Sequence, residues 1–272
     1  MEFICQMFSY GFMVKAFVCG ICLSIASGLL GIPLVFRRMS MAGDGLSHVG
    51  FGSLACAAAL NQTPYAIALP VVIAVAVVLL FLGERNLLRG DAAIALLSTT
   101  SLAVGVTVLS LTNGMNTEVN NFLFGSILGL DDNDVTLTVS LSIVMFILFI
   151  LLRRSIFAVT FDEPFARASG KKVRLIKLLV AVMTALIIVL GMRMMGALLI
   201  SSLMVMPVLT ASRLCCSFSS LILRVPLISV VTFSCGLTVS YAADTPAGAS
   251  VVLCNVAVLL AVYLYASLRR LN

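Results

Sequence analysis

Nine apolar blocks follow one another along this chain with only short polar intervals between them. They cover residues 12–36, 44–60, 65–82, 92–111, 135–152, 175–192, 196–212, 225–241 and 247–268. Each is close to the roughly 20 residues that an α-helix needs to cross the ~30 Å hydrocarbon core of a bilayer. In lipid every backbone N–H and C=O must bond within the protein, which leaves the helix as the structure open to runs of this length. Composition agrees. Of 272 residues, 61% are hydrophobic and only 10% are charged, and mean hydropathy is +1.19, whereas a soluble domain carries about 25% charged residues. The expected fold is all-α: a polytopic helical membrane protein of about nine spans, forming one transmembrane domain over 1–272.

The same pattern excludes several classes. The polar intervals run to about 15 residues, too short to bury a core of their own. No Walker-type glycine loop is present, so any ATP chemistry belongs to another chain. The net charge of +6 is no sign of nucleic acid, because its basic residues stand at span ends. The N-terminus shows no charged region followed by a small-residue cleavage site, so no removable signal peptide is expected. Eight cysteines invite a metal or disulfide reading. Cys19 and Cys22 lie inside an apolar block, no second C-x-x-C follows, and Cys5, Cys56, Cys235 and Cys254 are also in apolar runs. They read as small buried apolar residues.

Charge orients the chain. If the loop after the fifth block is cytoplasmic, fifteen of the 17 basic residues lie inside, and only Lys15 and Arg193 lie outside. The positive-inside rule then predicts an external N-terminus and a cytoplasmic C-terminus. The segment 122–130, FLFGSILGL, is half a span long between Asn120-Asn121 and the acidic run 131–134, and it predicts a re-entrant or surface helix on the outer face. Gly20, Ser24 and Gly28 recur every four residues in the first block, a spacing that permits close helix packing.

The longest polar interval, 161–177, reads FDEPFARASGKKVRLIK. Acids and a proline at its start and Gly170 after the alanines predict one short helix with a marked beginning and end. A solvated loop would account for the charge. A capped helix carrying Arg167 also suits docking to a soluble partner, and exposed polar loops tend to carry function.

Chemistry concentrates in MAGDGLSHVGFG. Ionisable groups are costly within a membrane and mark ion paths there. His48 is the single histidine, and Asp44, four residues earlier, shares its helix face. A carboxylate beside an imidazole suits zinc, manganese or ferrous iron. Structural roles account for the pair as well, with Asp44 as an N-cap and His48 bonded to a neighbouring helix. A third acid, Asp244, interrupts the last two blocks beside Pro246 and Gly248. Broken helices near ionisable groups are where transporters build substrate sites, while an external turn capped by Asp244 is the structural alternative.

The stretches RRMSMAGDGLSHVGFG, FLFGSILGL, FDEPFARASG, MGALLISSLMVMPVLTASRL and DTPAGASVVL, in this order, resemble the permease subunit of bacterial zinc- and manganese-type ABC importers. The D-x-x-x-H pattern at Asp44 and His48 looks most similar to zinc-uptake permeases. The resemblance implies a homodimer or a pairing with a sister permease in the bacterial inner membrane. It also implies a cytoplasmic ATP-binding subunit and an external metal-binding lipoprotein as partners. It makes 162–170, within a loop of about 154–174, the coupling helix seated on the ATPase, through Asp162, Glu163, Ala166, Arg167 and Gly170. It places Asp44, His48 and Asp244 along the path of a transported dication: zinc first, manganese or iron as alternatives. No resident cofactor and no catalysis by this chain are implied. An ion-gradient-driven metal transporter is the rival class, and it has no use for a docking helix.

Overall fold

The computed structural model describes residues 7–84, 90–112, 125, 132–215 and 217–271. Ten helices are found among them: α1 (Gly11–Phe36), α2 (Met41–Ala59), α3 (Pro64–Glu84), α4 (Gly90–Leu111), α5 (Asp132–Phe161), α6 (Glu163–Ala168), α7 (Val173–Met195), α8 (Ala197–Leu214), α9 (Phe218–Ala243) and α10 (Ala247–Leu271). Each of the nine long helices corresponds to one of the nine apolar blocks, although α5 runs past its block to Phe161 and α9 begins ahead of its own at Phe218, and the described residues form no strand. The half-span segment 122–130 lies outside the described residues apart from Gly125.

Among the described residues seven helices are long and apolar enough to cross a membrane, and the apolar part of α3, Tyr65–Phe81, is shorter. Helix α2 falls short for a different reason: it is built of glycine, serine and alanine around Asp44 and His48. It packs against α3, α4, α7 and α8, so protein takes the place of lipid around most of it and its composition need not be oily. Helix α10 is the converse. Only 11% of its most apolar stretch is buried, against 72% for α1.

Helix α1 is the hub, in contact with α5, α7, α8 and α9. Its small-residue stripe meets α9 in antiparallel register. Gly20 faces Phe233, while Gly28 faces Val225 and Ser229, and the Ser229 hydroxyl donates to the Ser24 carbonyl at 2.9 Å. The closest approach is at Gly31, where an added Cβ would overlap the backbone oxygen of Met204 on α8. A second polar tie inside the bundle joins α9 to α10, with Thr232 Oγ1 donating to Asn255 Oδ1 at 2.9 Å. Such bonds hold helices together where lipid supplies no hydrophobic drive.

Charge separates by end. Arg37, Arg153, Arg154, Arg213, Arg224 and the loop 162–172 lie at one end of the bundle, where Phe36, Phe161 and Phe218 meet. Lys15 pairs with Asp132 at 2.6 Å at the opposite end.

Candidate functional site

At the arginine-rich end, the polar interval folds as the short helix α6. The Asp162 carboxylate accepts from the Phe165 N–H at 2.9 Å, and Pro164 sits in the first turn. This is an N-cap with proline where its missing donor costs nothing. The other end closes in a Schellman pattern. Gly170 N–H donates to Arg167 O and Lys171 N–H to Ala166 O, both at 3.1 Å, with Gly170 at φ +74°, a conformation that favours glycine.

Glu163 anchors this helix to the bundle. Lys177 Nζ, in α7, donates to Glu163 Oε1 at 2.8 Å, and Arg167 Nη2 donates to the same oxygen at 3.0 Å. Arg37, just past α1, stands 3.7 Å from the other oxygen. Lys177 is 5% exposed. Partial burial pushes the Glu163 carboxyl up, but Lys177, Arg37 and Arg167 outweigh it and hold it below its ordinary value. One carboxylate thereby ties α6, α1 and α7 together.

The residues expected at the docking contact divide into two groups. Asp162 caps, Glu163 points to the bundle, and Ala166 is fully buried against the chain's own body, so its small size serves internal packing. A Cβ at Gly170 would meet nothing, and the backbone angle is what requires glycine there. Arg167 is exposed. So is Phe165, at 62%, which the sequence reading passed over although it is the one aromatic side chain within α6. Lys177, at the end of the polar interval 161–177, carries no local sequence signal for its contact with Glu163.

The second feature is on α2. Its N-cap position is Ser40, and Asp44 lies within the helix, not before it. The capping alternative therefore does not apply to Asp44. His48 Nε2 is 3.6 Å from Asp44 Oδ2. His48 Nδ1 is buried and has no hydrogen-bond partner among the described residues, so that nitrogen makes no bond to a described neighbouring helix. A buried ring nitrogen with nothing bonded to it calls for an explanation. Asp44 is 52% exposed at its side chain on a helix whose other faces are packed.

Asp244 is not brought to this pair. It closes α9 in the left-handed conformation at φ 49°, exposed in the turn before α10. Helix α9 begins beside Phe157 and Phe161, at the α6 end, and its 26 residues carry Asp244 about 39 Å away at 1.5 Å per residue. Among the described residues no three His, Cys, Asp or Glu side chains gather into a metal-holding group.

Comparison with known proteins covers most of the chain. The zinc uptake membrane protein ZnuB of Buchnera aphidicola is 32% identical over 87% of this chain and 90% of its own length. The manganese transport membrane protein MntC of Listeria innocua is 25% identical over 98% and 95%. The solved structure of PsaBC from Streptococcus pneumoniae in complex with Fab superposes with a TM-score of 0.86 at 26% identity, covering 96% of this chain and 94% of that one. Residues 9–266 match the family described as ABC 3 transport; this chain is a member of that family, a membrane transport subunit.

Proposed function

We propose that this chain is the permease of an ATP-driven importer for a divalent transition metal, zinc in the first place. The observation that carries it is the His48 ring, whose Nε2 stands 3.6 Å from the open Asp44 carboxylate and whose buried Nδ1 has no hydrogen-bond partner among the described residues. One nitrogen and one oxygen donor on a single helix face form an incomplete ligand set. Imidazole suits zinc better than manganese, and ZnuB supports that order, while MntC keeps manganese as the second reading.

The open side of α2 is then completed by another chain. A second copy, or a sister permease, would bring a second Asp–His pair and make four donors, enough for a tetrahedral ion in transit. Asp244, at the opposite mouth, serves as a charge that draws the cation in. Helix α6 is the coupling helix. Glu163 braces it from within so that Phe165 and Arg167 face a cytoplasmic ATP-binding subunit, and a metal-binding protein delivers the ion from outside. Family membership supports ATP drive over an ion gradient. The chain itself hydrolyses nothing, and it sits in the bacterial inner membrane with its C-terminus in the cytoplasm.

Radioactive zinc and manganese uptake in cells lacking other importers tests the reading. Asp44→Asn and His48→Gln each abolish uptake with the protein still present in the membrane, while Asp244→Asn gives a weaker loss. Asparagine keeps the size of Asp44 and removes only the charge that a dication needs. Uptake at the wild-type level by Asp44→Asn would leave the pair without a metal role.

A further inference from the structure

A second site lies at the arginine-rich end, in the crevice between the last turns of α5 and the start of α9. It is a cavity of about 400 Å³ lined by Arg153, Arg154, Ser217 and Ser219, with Phe157 and Phe218 as its apolar wall. The polar lining consists of guanidinium groups and hydroxyls, and it includes no carboxylate. No acid of the described residues is ion-paired with either arginine, and Lys171, whose ammonium bonds the Arg154 carbonyl at 3.3 Å, adds a third positive charge nearby. Two exposed arginines in a crevice without a counter-charge call for an anion, and planar guanidinium groups match phosphate oxygens well.

Depth says which anion. Helix α5 starts with acids at Asp132 and Asp134, and Arg154 follows Asp134 by 20 residues, or about 30 Å of helix, the thickness of the hydrocarbon core. The arginine pair therefore stands at the hydrocarbon boundary and the cavity lies in the headgroup layer. Just above it the flanking helices are bare: Leu151 is 74% exposed, Leu223 75% and Leu227 63%. A donor-lined cavity at headgroup depth beneath exposed leucines on both walls matches one molecule, a phospholipid with a net negative headgroup. We propose that this crevice is a binding site for an anionic phospholipid of the leaflet at the α6 end. The phosphate is held by Arg153 and Arg154, and the acyl chains lie along Leu151, Leu223 and Leu227. Zwitterionic lipid offers the same phosphate but sets its own cation against the arginine pair.

The test uses the full chain purified from discs of phosphatidylcholine with a minor fraction of phosphatidylglycerol. Retained lipid is counted by mass spectrometry, and affinity is titrated with short-chain phosphatidylglycerol. Wild type is expected to retain phosphatidylglycerol and not phosphatidylcholine. R153Q/R154Q weakens binding about thirty-fold, at about 1 kcal/mol for each basic residue near an anionic surface. R153K/R154K, which keeps the charge, recovers much of it, and K172Q/R174Q, an equal loss of charge at the same end, leaves it nearly unchanged. The proposal is overturned if R153Q/R154Q binds like wild type, if K172Q/R174Q loses as much, or if inorganic phosphate displaces the lipid at equal concentration. It is overturned too if no lipid is retained and the arginines are shielded from a guanidine-modifying reagent only when a purified ATP-binding subunit is added.

Discussion

Glu163→Gln is the substitution whose consequences the structure fixes most closely. It keeps shape and hydrogen-bonding capacity and removes the charge that faces Lys177, Arg167 and Arg37. Arg167 is 73% exposed and turns to water at little cost. Lys177, 5% exposed, is a buried ammonium that loses the opposing charge of Glu163. Breaking a buried pair from one side costs about 3–5 kcal/mol. Glu163 is itself 30% exposed, so water screens the pair and about 2–3 kcal/mol is the better figure. At roughly 2–4 °C per kcal/mol for a chain of this size, melting falls by about 5–10 °C. The chain has no tryptophan and eight cysteines, so a thiol-reactive dye in detergent is the natural probe. Lys177→Met is the decisive partner variant. It deletes the buried charge and leaves Glu163 with two arginines, so its loss stays below about 1 kcal/mol, and the double variant recovers most of the Glu163→Gln loss. The pH dependence has a definite sign. The folded carboxyl titrates below its ordinary value of 4.5. Its contribution is complete above that value and disappears as pH falls through the lower, folded one. A Glu163→Gln protein that melts with wild type, or a Lys177→Met protein that melts as low as Glu163→Gln, would refute this account of how α6 is held.

Two further outcomes follow from packing and charge. Gly31→Ala places a methyl group into the Met204 backbone oxygen; since helix backbones do not yield as a side chain end does, melting falls by several degrees and expression drops, whereas Gly11→Ala, which meets nothing, is silent. A reporter fused after Asn272 should be active in the cytoplasm, and a cysteine at 115 should react from outside; the reverse pattern would remove both the orientation and the assignment of α6 to the ATP-binding subunit.

Much of the architecture was legible because the bilayer imposes a simple rule on the chain. The nine apolar blocks became nine long helices, and most ends moved by three residues or fewer, as at Met41 ahead of Asp44, while α5 runs nine residues past its block to Phe161 and α9 starts seven residues before its own at Phe218. The short helix at 163–168 was legible for a local reason: Asp162, Pro164 and Gly170 are start and stop signals that need no tertiary contact. The face of that helix was not legible. Glu163, Phe165, Ala166 and Arg167 crowd within five residues, and in a six-residue helix no periodicity can tell the inner side from the outer. Only the neighbouring Lys177 and Arg37 decide that Glu163 and Ala166 turn inward and that Phe165 turns out.

The pair on α2 shows the same division. Spacing alone put Asp44 and His48 on one face, because four residues make about one helical turn. Two structural explanations for the pair stood until the fold showed Ser40 at the cap and His48 Nδ1 without a partner among the described residues, since capping and hydrogen bonding depend on atoms outside the local sequence. Asp244 was ambiguous in sequence, because a membrane chain folds back and residues 200 apart can be adjacent or at opposite faces. Composition, block length and basic residues determined the class, the span pattern and the expected orientation, all of which follow from the transfer of side chains between water and lipid. Which charge is braced, which is open and which acids share a site were decided only by helix-on-helix contact, because those properties belong to pairs of residues that the sequence does not place side by side.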